Sequence, residues 1–232
     1  MSRGIFITGT DTGVGKTVVS GLLAHYILAR AGSVITQKWV ETGAVGLSRD
    51  VQTHLKFMGK GRGYLGPYLK HVSSYTFRYP SSPHLAASLE GRSISIEKIK
   101  EGHKILRDGF EYVLVEGVGG ALVPLNGKTL VADVARELDL PAILVVGNRL
   151  GAINHTLLSI ECLESRNIKI LGVVFNNFKG TSRLILSDNS RITKRISGVD
   201  VLGTLTYAKE SKALYKGFAP IGKKILMKLK RA

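Results

Sequence analysis

The sequence has 232 residues, enough for one large α/β domain or two small ones, and its 44% hydrophobic and 22% charged residues exclude an intrinsically disordered chain. Its single cysteine, Cys162, excludes an intramolecular disulfide framework, and its six histidines show no spacing typical of zinc ligands. The formal charge of +16 could attract a polyanion, but no nucleic-acid recognition motif accompanies it, so we expect a solvated basic surface without a nucleic-acid partner.

The apolar segments of the chain are short. None approaches the roughly 20 residues of a membrane-spanning helix, and Met1–Gly4 lead directly into a predicted strand without the apolar core of a signal peptide. We therefore predict a cytoplasmic protein that does not contact a membrane. Cys162 lies in an apolar helical stretch, where we expect it to be a small buried residue.

Apolar runs alternate with segments of helical periodicity along the chain. In chain order, strands are predicted at residues 4–8, 33–37, 111–116, 141–147 and 168–175, with the second strand ending at Lys38. Helices are predicted at residues 16–31, 95–108 and 153–166, and the Gly-, Tyr- and Pro-rich segment 59–83 is predicted to form loops with a short strand. This order indicates the α/β class, with a mostly parallel sheet and helices on both faces. Because no linker or internal repeat is found, a single domain over residues 1–232 is the simplest interpretation.

The first predicted strand leads into a glycine-rich turn, Gly9–Thr17 (GTDTGVGKT), which opens a helix. Glycines let several backbone N–H groups point at one anion, and a helix N-terminus adds partial positive charge. Lys16 would reach the β- and γ-phosphates of a nucleotide, and the Thr17 hydroxyl would bind Mg²⁺. Five residues, rather than the usual four, separate Gly9 from Gly15, so a turn that binds nothing is the alternative. The flanking strand and helix favour a P-loop NTPase fold.

Three further polar residues are candidates for the same site. Glu116 ends a predicted strand before a glycine-rich turn, which suits a metal ligand, although a carboxylate that caps the turn has the same pattern. Asp50 is either a second metal ligand or a residue at the start of a helix. Lys38 would point into the crevice at the carboxyl ends of the strands, although a solvated lysine at a strand end is the more common case.

Six segments, in consistent order over about residues 4–205, together resemble the dethiobiotin synthetase family. They are residues 9–17, 38–43 (KWVETG), 79–84 (YPSSPH), 115–120 (VEGVGG), 147–155 (GNRLGAINH) and the pair Asn176–Asn177. Two departures are visible. Trp39 stands where the family has proline, which would alter the entry to the lysine loop, and residues 202–206 read LGTLT where the family has Leu-Gly-x-Ile-Pro.

The resemblance implies a ligase of biotin biosynthesis that uses ATP and Mg²⁺ to join CO₂ to 7,8-diaminononanoate. A carbamate and then a carbamic-phosphoric anhydride would form, the second amine would close the ureido ring, and ADP and phosphate would leave. The implied catalytic residues are Lys16 and Lys38, and the implied ligands of Mg²⁺ are Thr17, Asp50 and Glu116. The implied ATP-binding residues are Gly13, Val14, Gly15, Lys16, Thr17, Val18, Asp50, Glu116, Gly117, Val118, Gly119, Asn176 and Asn177. The implied substrate-binding residues are Thr42 and, across a homodimer interface, Gly151, Ala152 and Asn154.

Three other classes of ATP-dependent protein are the alternatives, and one of them, a nucleic-acid-binding ATPase, is suggested only by the net charge. Partition-type nucleotide-switch ATPases share the expected fold and act through protein or DNA partners. They carry a signature lysine near the start of the phosphate loop, where this chain has Asp11. Cobyrinate-type amidotransferases need a glutaminase domain with a nucleophilic cysteine, for which this chain is too short.

Overall fold

The computed structural model describes residues 3–230, so Met1, Ser2, Arg231 and Ala232 lie outside the described residues. Within that range the strands are β1 (Arg3–Gly9), β2 (Val34–Thr42), β3 (Ser73–Phe77), β4 (Tyr112–Glu116), β5 (Ala142–Asn148), β6 (Ile170–Asn177) and β7 (Val201–Leu205). The α-helices are α1 (Lys16–Arg30), α2 (Arg49–Met58), α3 (Leu69–Val72), α4 (Pro83–Leu89), α5 (Ile96–Gly109), α6 (Val131–Glu137), α7 (Ala152–Glu164), α8 (Arg183–Ser197) and α9 (Ser211–Lys230), and a 3₁₀ helix spans Arg62–Tyr68.

The seven strands form one sheet in the order β3-β2-β4-β1-β5-β6-β7, and every neighbouring pair is parallel. Alternate side chains of each strand point to opposite faces. Ile5 and Ile7 of β1 pack with α1 and α9, whereas Phe6 packs with α5 and α6 on the other face. The predicted α/β class, with a parallel sheet between two layers of helices, is confirmed.

The predicted strands and helices agree with the structure to within a few residues, except at β2. This strand does not end at Lys38 but continues to Thr42, because residues 38–42 pair with β3 at the edge of the sheet. The segment 59–83 contains the predicted short strand, β3, and also short helices. Cys162 lies on α7 as expected, but it is only half-buried, and its sulfur is 3.6 Å from Arg166 Nη1.

Candidate active site

The phosphate loop connects β1 to α1 at the carboxyl edge of the sheet. Gly13 and Gly15 have φ angles of +73° and +103°, a backbone conformation that residues with a side chain rarely adopt. These two residues let the chain curl before α1 begins at Lys16. The Lys16 ammonium folds back and donates to the Asp11 carbonyl oxygen at 2.8 Å. The loop thereby has the conformation and the free helix N-terminus that a phosphate group needs.

Lys38 lies inside this edge of the sheet rather than in solvent. It is the register partner of Glu116 on the neighbouring strand β4, so the two side chains project side by side. The Lys38 ammonium lies 2.7 Å from Asp50 Oδ2 and 2.9 Å from Glu116 Oε1, and it donates to the Gly117 carbonyl at 2.8 Å. The Thr17 hydroxyl lies 2.9 Å from Asp50 Oδ1 and 3.0 Å from Glu116 Oε1. The phosphate loop and the predicted lysine therefore share the same two carboxylates.

Asp50 reaches this cluster from the first turn of α2. The helix begins after Ser48, whose hydroxyl accepts a hydrogen bond from the Val51 N–H at 3.1 Å. The Asp50 N–H donates to Glu41 Oε2 at 3.3 Å. The two interpretations that the sequence left open for Asp50 are therefore both compatible with its position, since it starts a helix and its carboxylate also contacts Lys38.

Burial is the largest single effect on the pKa values of Lys38 and Glu116 and disfavours both charges, but the surrounding charges and hydrogen bonds together outweigh it. Burial alone would lower the pKa of Lys38, yet the Glu116 and Asp50 carboxylates raise it above its ordinary value of 10.5. Burial alone would raise the pKa of Glu116, yet the Lys38 charge and a hydrogen bond from His54 hold it well below 4.5. For Lys16, burial and the nearby Lys38 charge lower the pKa to about 8. Lys38 and Glu116 are thus a charged pair at neutral pH.

A crevice of about 790 Å³ opens above the cluster, a volume typical of small-molecule sites. The loop between β3 and α4 contributes three residues to the wall of this crevice. The crevice is lined by Thr12, Gly13, Gly15, Lys16, Thr17, Val18, Lys38, Glu41, Thr42, Asp50, Pro80, Ser81, Ser82, Pro83, Glu116, Val118, Gly119 and Val123. It therefore combines the glycine-rich loop, buried charged side chains, and several proline and valine side chains.

Two curated bacterial proteins are similar to this chain over most of its length. "ATP-dependent dethiobiotin synthetase BioD 2" of Pasteurella multocida is 38% identical over 201 residues, which cover 84% of this chain and 91% of the relative. "ATP-dependent dethiobiotin synthetase BioD" of Chlorobaculum tepidum is 44% identical over 178 residues, which cover 74% of this chain and 72% of the relative. A family model described as an AAA domain matches residues 3–213. The chain belongs to the dethiobiotin synthetase family. The resemblance carried by the six sequence segments is thereby confirmed.

Solved structures similar to this dethiobiotin synthetase family member include ATPases of other functions. The ParA of pNOB8, solved bound to nonspecific DNA, has a TM-score of 0.61 and 15% identity, with 100% of this chain and 99% of that chain covered. The MinD cell division protein of Aquifex aeolicus has a TM-score of 0.58 and 16% identity, with 99% and 96% covered. At this identity the likeness shows the fold alone and confirms the predicted P-loop NTPase fold. Across residues 3–230, no helix combines the length and the hydropathy needed to cross a membrane.

The site residues implied by the family fall into three groups, the third of which is the start of α7. Those that line the crevice are Gly13, Gly15, Lys16, Thr17, Val18, Lys38, Thr42, Asp50, Glu116, Val118 and Gly119. Others lie nearby: the Val14 side chain is in the core, and the Gly117 carbonyl accepts from Lys38. The Asn176 amide donates to the Val14 carbonyl at 3.0 Å, and Asn177 Oδ1 accepts from Asn148 at 2.8 Å.

The family's implied carboxylate-binding segment lies apart from the crevice within one chain. Gly151 precedes α7, and Ala152 and Asn154 lie in the first turn of that helix. Asn154 is exposed and Ala152 is buried. None of these three residues is part of the crevice wall formed by the described chain. Within one copy this segment therefore does not line the crevice, although the guanidinium of the neighbouring Arg149 lies 3.6 Å from Asp11 Oδ2 of the phosphate loop.

Trp39, which replaces the family's proline, lies on the sheet face opposite Lys38. It is 1% exposed and stacks on Phe6 with ring centroids 5.8 Å apart. Its Nε1 donates to Gln37 Oε1 at 3.2 Å, and the same oxygen lies 3.0 Å from His103 Nδ1. Because neighbouring strand residues point to opposite faces, the Trp39 ring lies on the other face of the sheet from the Lys38 ammonium, and its effect on the entry to the lysine loop stays a prediction.

Two buried residues of the site were missed in the sequence. His54 is fully buried, and its Nε2 lies 2.7 Å from Glu116 Oε2. Glu41 lines the crevice and accepts from the Asp50 N–H. For His54 a signal existed, because it follows Asp50 by four residues on a helix and therefore lies on the same face. Glu41 gave no such signal, since its role depends on where β2 meets α2.

Proposed function

We propose that this protein is an ATP-dependent dethiobiotin synthetase of the cytoplasm, formed by one domain over residues 1–232. It would join CO₂ to 7,8-diaminononanoate through a carbamate and a carbamic-phosphoric anhydride, close the ureido ring, and release ADP and phosphate. The observation that carries this proposal is the cluster of Thr17, Lys38, Asp50 and Glu116 below a crevice lined by the phosphate loop. The curated relatives, which bear the name of this activity, support it.

The donor set suits a magnesium ion. The Thr17 hydroxyl and the Asp50 and Glu116 carboxylates are hard oxygen donors, and the hydroxyl lies within hydrogen-bonding distance of both carboxylates. Among the described residues, no group of three or more His, Cys, Asp and Glu side chains could hold a metal by itself. The two carboxylates fit Mg²⁺, which uses one or two protein carboxylates and takes its other ligands from phosphates and water. When bound, Mg²⁺ would supply positive charge to the phosphate oxygens.

We propose that Lys38 acts as a fixed positive charge and not as a base. Its pKa is raised by Glu116 and Asp50, so the ammonium stays protonated at neutral pH. A base would need a lowered pKa. The anionic carbamate and the transferred phosphoryl group both require neutralisation, and a preoriented ammonium in a buried site provides it without reorganisation. Lys16, which now donates to the Asp11 carbonyl, would exchange that partner for a phosphate oxygen.

We also propose a homodimer, in which the start of α7 from a second copy serves the substrate carboxylate. The N-terminus of a 13-residue helix favours an anion. Leu150, which precedes it, is 83% exposed, and Leu158 on the same helix is 56% exposed. Exposed leucines beside this helix start are compatible with a contact between copies.

The test is an ADP-release assay with and without diaminononanoate and bicarbonate. We expect rapid release only when both are present, with one dethiobiotin formed for each ADP and a requirement for Mg²⁺. A matched pair of variants sharpens the assay: Lys38→Met should lose turnover, whereas Lys104→Met, at an exposed position on α5, should keep it. ATP hydrolysis that ignores the diamine and responds to a protein or DNA partner would reject the proposal in favour of a partition-type ATPase.

A further inference from the structure

We propose that His54 is a positioning residue that fixes the rotation of the Glu116 carboxylate and thereby sets the metal affinity of the site. The proposal rests on the proposed function, in which Glu116 binds Mg²⁺. The two oxygens of Glu116 have separate partners. Oε2 lies 2.7 Å from His54 Nε2, whereas Oε1 lies 3.0 Å from the Thr17 hydroxyl and 2.9 Å from the Lys38 ammonium. His54 therefore occupies one oxygen and leaves the other turned to the crevice.

The α2 helix brings His54 to this position. Asp50 and His54 are one helical turn apart, so both point from α2 toward the sheet. Asp50 contacts Lys38 and Thr17 directly, while His54 contacts the second carboxylate, Glu116. One helix thus sets both carboxylates of the proposed metal site, the first as its own side chain and the second through a hydrogen bond.

The hydrogen bonding of His54 serves Glu116 alone. A carboxylate only accepts hydrogen bonds, so Nε2 must carry the hydrogen and donate it to Oε2. The other ring nitrogen, Nδ1, is buried and has no hydrogen-bond partner in the described part of the chain. A buried polar group without a partner is unfavourable, and a leucine would fill the same space without that cost. The bond to Glu116 is therefore the feature of the structure that explains a histidine here.

Loss of this hydrogen bond should weaken metal binding and leave nucleotide binding unchanged. Without a donor at Oε2, the Glu116 carboxylate can rotate, and its orientation toward Thr17 is no longer fixed. Groups that orient a metal ligand from outside the coordination sphere typically change metal affinity by about 10–100-fold. His54 does not line the crevice formed by the described residues, so the nucleotide contacts themselves should persist.

Three substitutions of His54 separate its effect on the orientation of the Glu116 carboxylate from its effect on core packing. His54→Leu keeps the apolar bulk and removes the donor. His54→Gln can bring an amide N–H to the position of Nε2, whereas the shorter His54→Asn reaches only as far as Nδ1. His103→Leu is the matched control, because His103 is also a buried histidine, 2% exposed, and bonds to Gln37 away from the crevice.

The experiment measures Mn²⁺ binding by electron paramagnetic resonance in the presence of ADP, and ADP binding without metal by calorimetry. We expect Mn²⁺ binding about 10–100-fold weaker in His54→Leu and His54→Asn, with largely restored binding in His54→Gln and wild-type binding in His103→Leu. ADP affinity without metal should be unchanged in all four. Equal Mn²⁺ affinity in wild type and folded His54→Leu would overturn the proposed role of His54. So would equal losses of Mn²⁺ affinity in the Gln and Asn variants. Neither result would contradict the proposed function. Wild-type protein that binds no Mn²⁺ with ADP would overturn the metal site of the proposed function as well.

Discussion

Replacing Lys38 with methionine tests whether the buried charge cluster holds the site together. The substitution keeps the length of the side chain but leaves Glu116, which is 1% exposed, without its ion-pair partner. Breaking one side of a buried ion pair costs about 3–5 kcal/mol in free energy of unfolding. Here we expect the lower end, about 3 kcal/mol, because His54 still donates to Glu116 and because Asp50 is 27% exposed and remains partly solvated. For a chain of this size that loss lowers the melting temperature by roughly 6–12 °C.

The expected loss depends on pH in a defined direction. In the wild type the pKa of Glu116 is lowered, so its contribution to stability is present above the ordinary value of 4.5 and is lost as pH falls below it. In Lys38→Met the same carboxylate is buried without a cation, and protonation relieves that penalty. The difference in stability between the two proteins should therefore be largest at neutral pH, should begin to narrow as pH falls toward 4.5 because the variant gains a proton, and should narrow further below 4.5 as the wild type loses its contribution.

Calorimetric melting at pH 7 and pH 4, without nucleotide, measures both effects. The double variant Lys38→Met with Glu116→Gln removes the unpaired charge and should recover most of the lost stability, since the two changes are coupled. Lys104→Met should shift stability by less than about 0.5 kcal/mol, as expected at the surface. A melting temperature within about 2 °C of wild type at pH 7, or a deficit that is the same at both pH values, would refute this account of the cluster.

Two further predictions concern residues outside the charge cluster, Trp39 and Asn176. Trp39→Ala should reduce the free energy of unfolding by about 3–5 kcal/mol in chemical denaturation, as for other buried tryptophans, and should leave the KM for ATP near the wild-type value because Trp39 lies on the opposite face of the sheet. A raised KM with little loss of stability would contradict this placement. Asn176→Ala removes the hydrogen bond to the Val14 carbonyl and should raise the KM for ATP about fivefold, the equivalent of about 1 kcal/mol. An unchanged KM in steady-state kinetics would show that this bond does not shape the phosphate loop.

The parts of the fold that could be predicted from the sequence are those set by local patterns. The strand before Gly9 and the helix after Lys16 follow from apolar periodicity, and the glycine spacing predicts the loop between them. The end of β2 could not be found in this way. Residues 38–42 stay in the sheet because β3 pairs with them, and that contact joins segments about 35 residues apart in the chain.

In the candidate site, too, some residues can be recognised from the local sequence, whereas others are placed by tertiary contacts. Glu116 is recognisable because a strand followed by glycines has a local signature. The contact of Asp50 with Lys38 depends on the packing of α2 against the sheet, so the sequence allowed a helix start and a metal ligand equally. The direction of Trp39 is set by strand alternation once Lys38 faces the crevice. His54 is recognisable only by combining helical spacing with that tertiary contact.

The charge that serves the proposed reaction is a local property and not a consequence of the net charge of +16. Lysines such as Lys223 and Lys224 lie exposed on α9, where ions of the solvent screen them over about 8–10 Å. Lys16 and Lys38 are 6% and 4% exposed, so their fields are screened far less. Lys38 is already balanced by Asp50 and Glu116. Among the described residues that line the crevice, Lys16 is the positive side chain left for an incoming triphosphate, and with the N–H groups of the phosphate loop it does not match the charge of that group. In the proposed function a bound divalent cation would add the missing positive charge, and the orientation of Glu116 would then matter more to this site than the basic surface does.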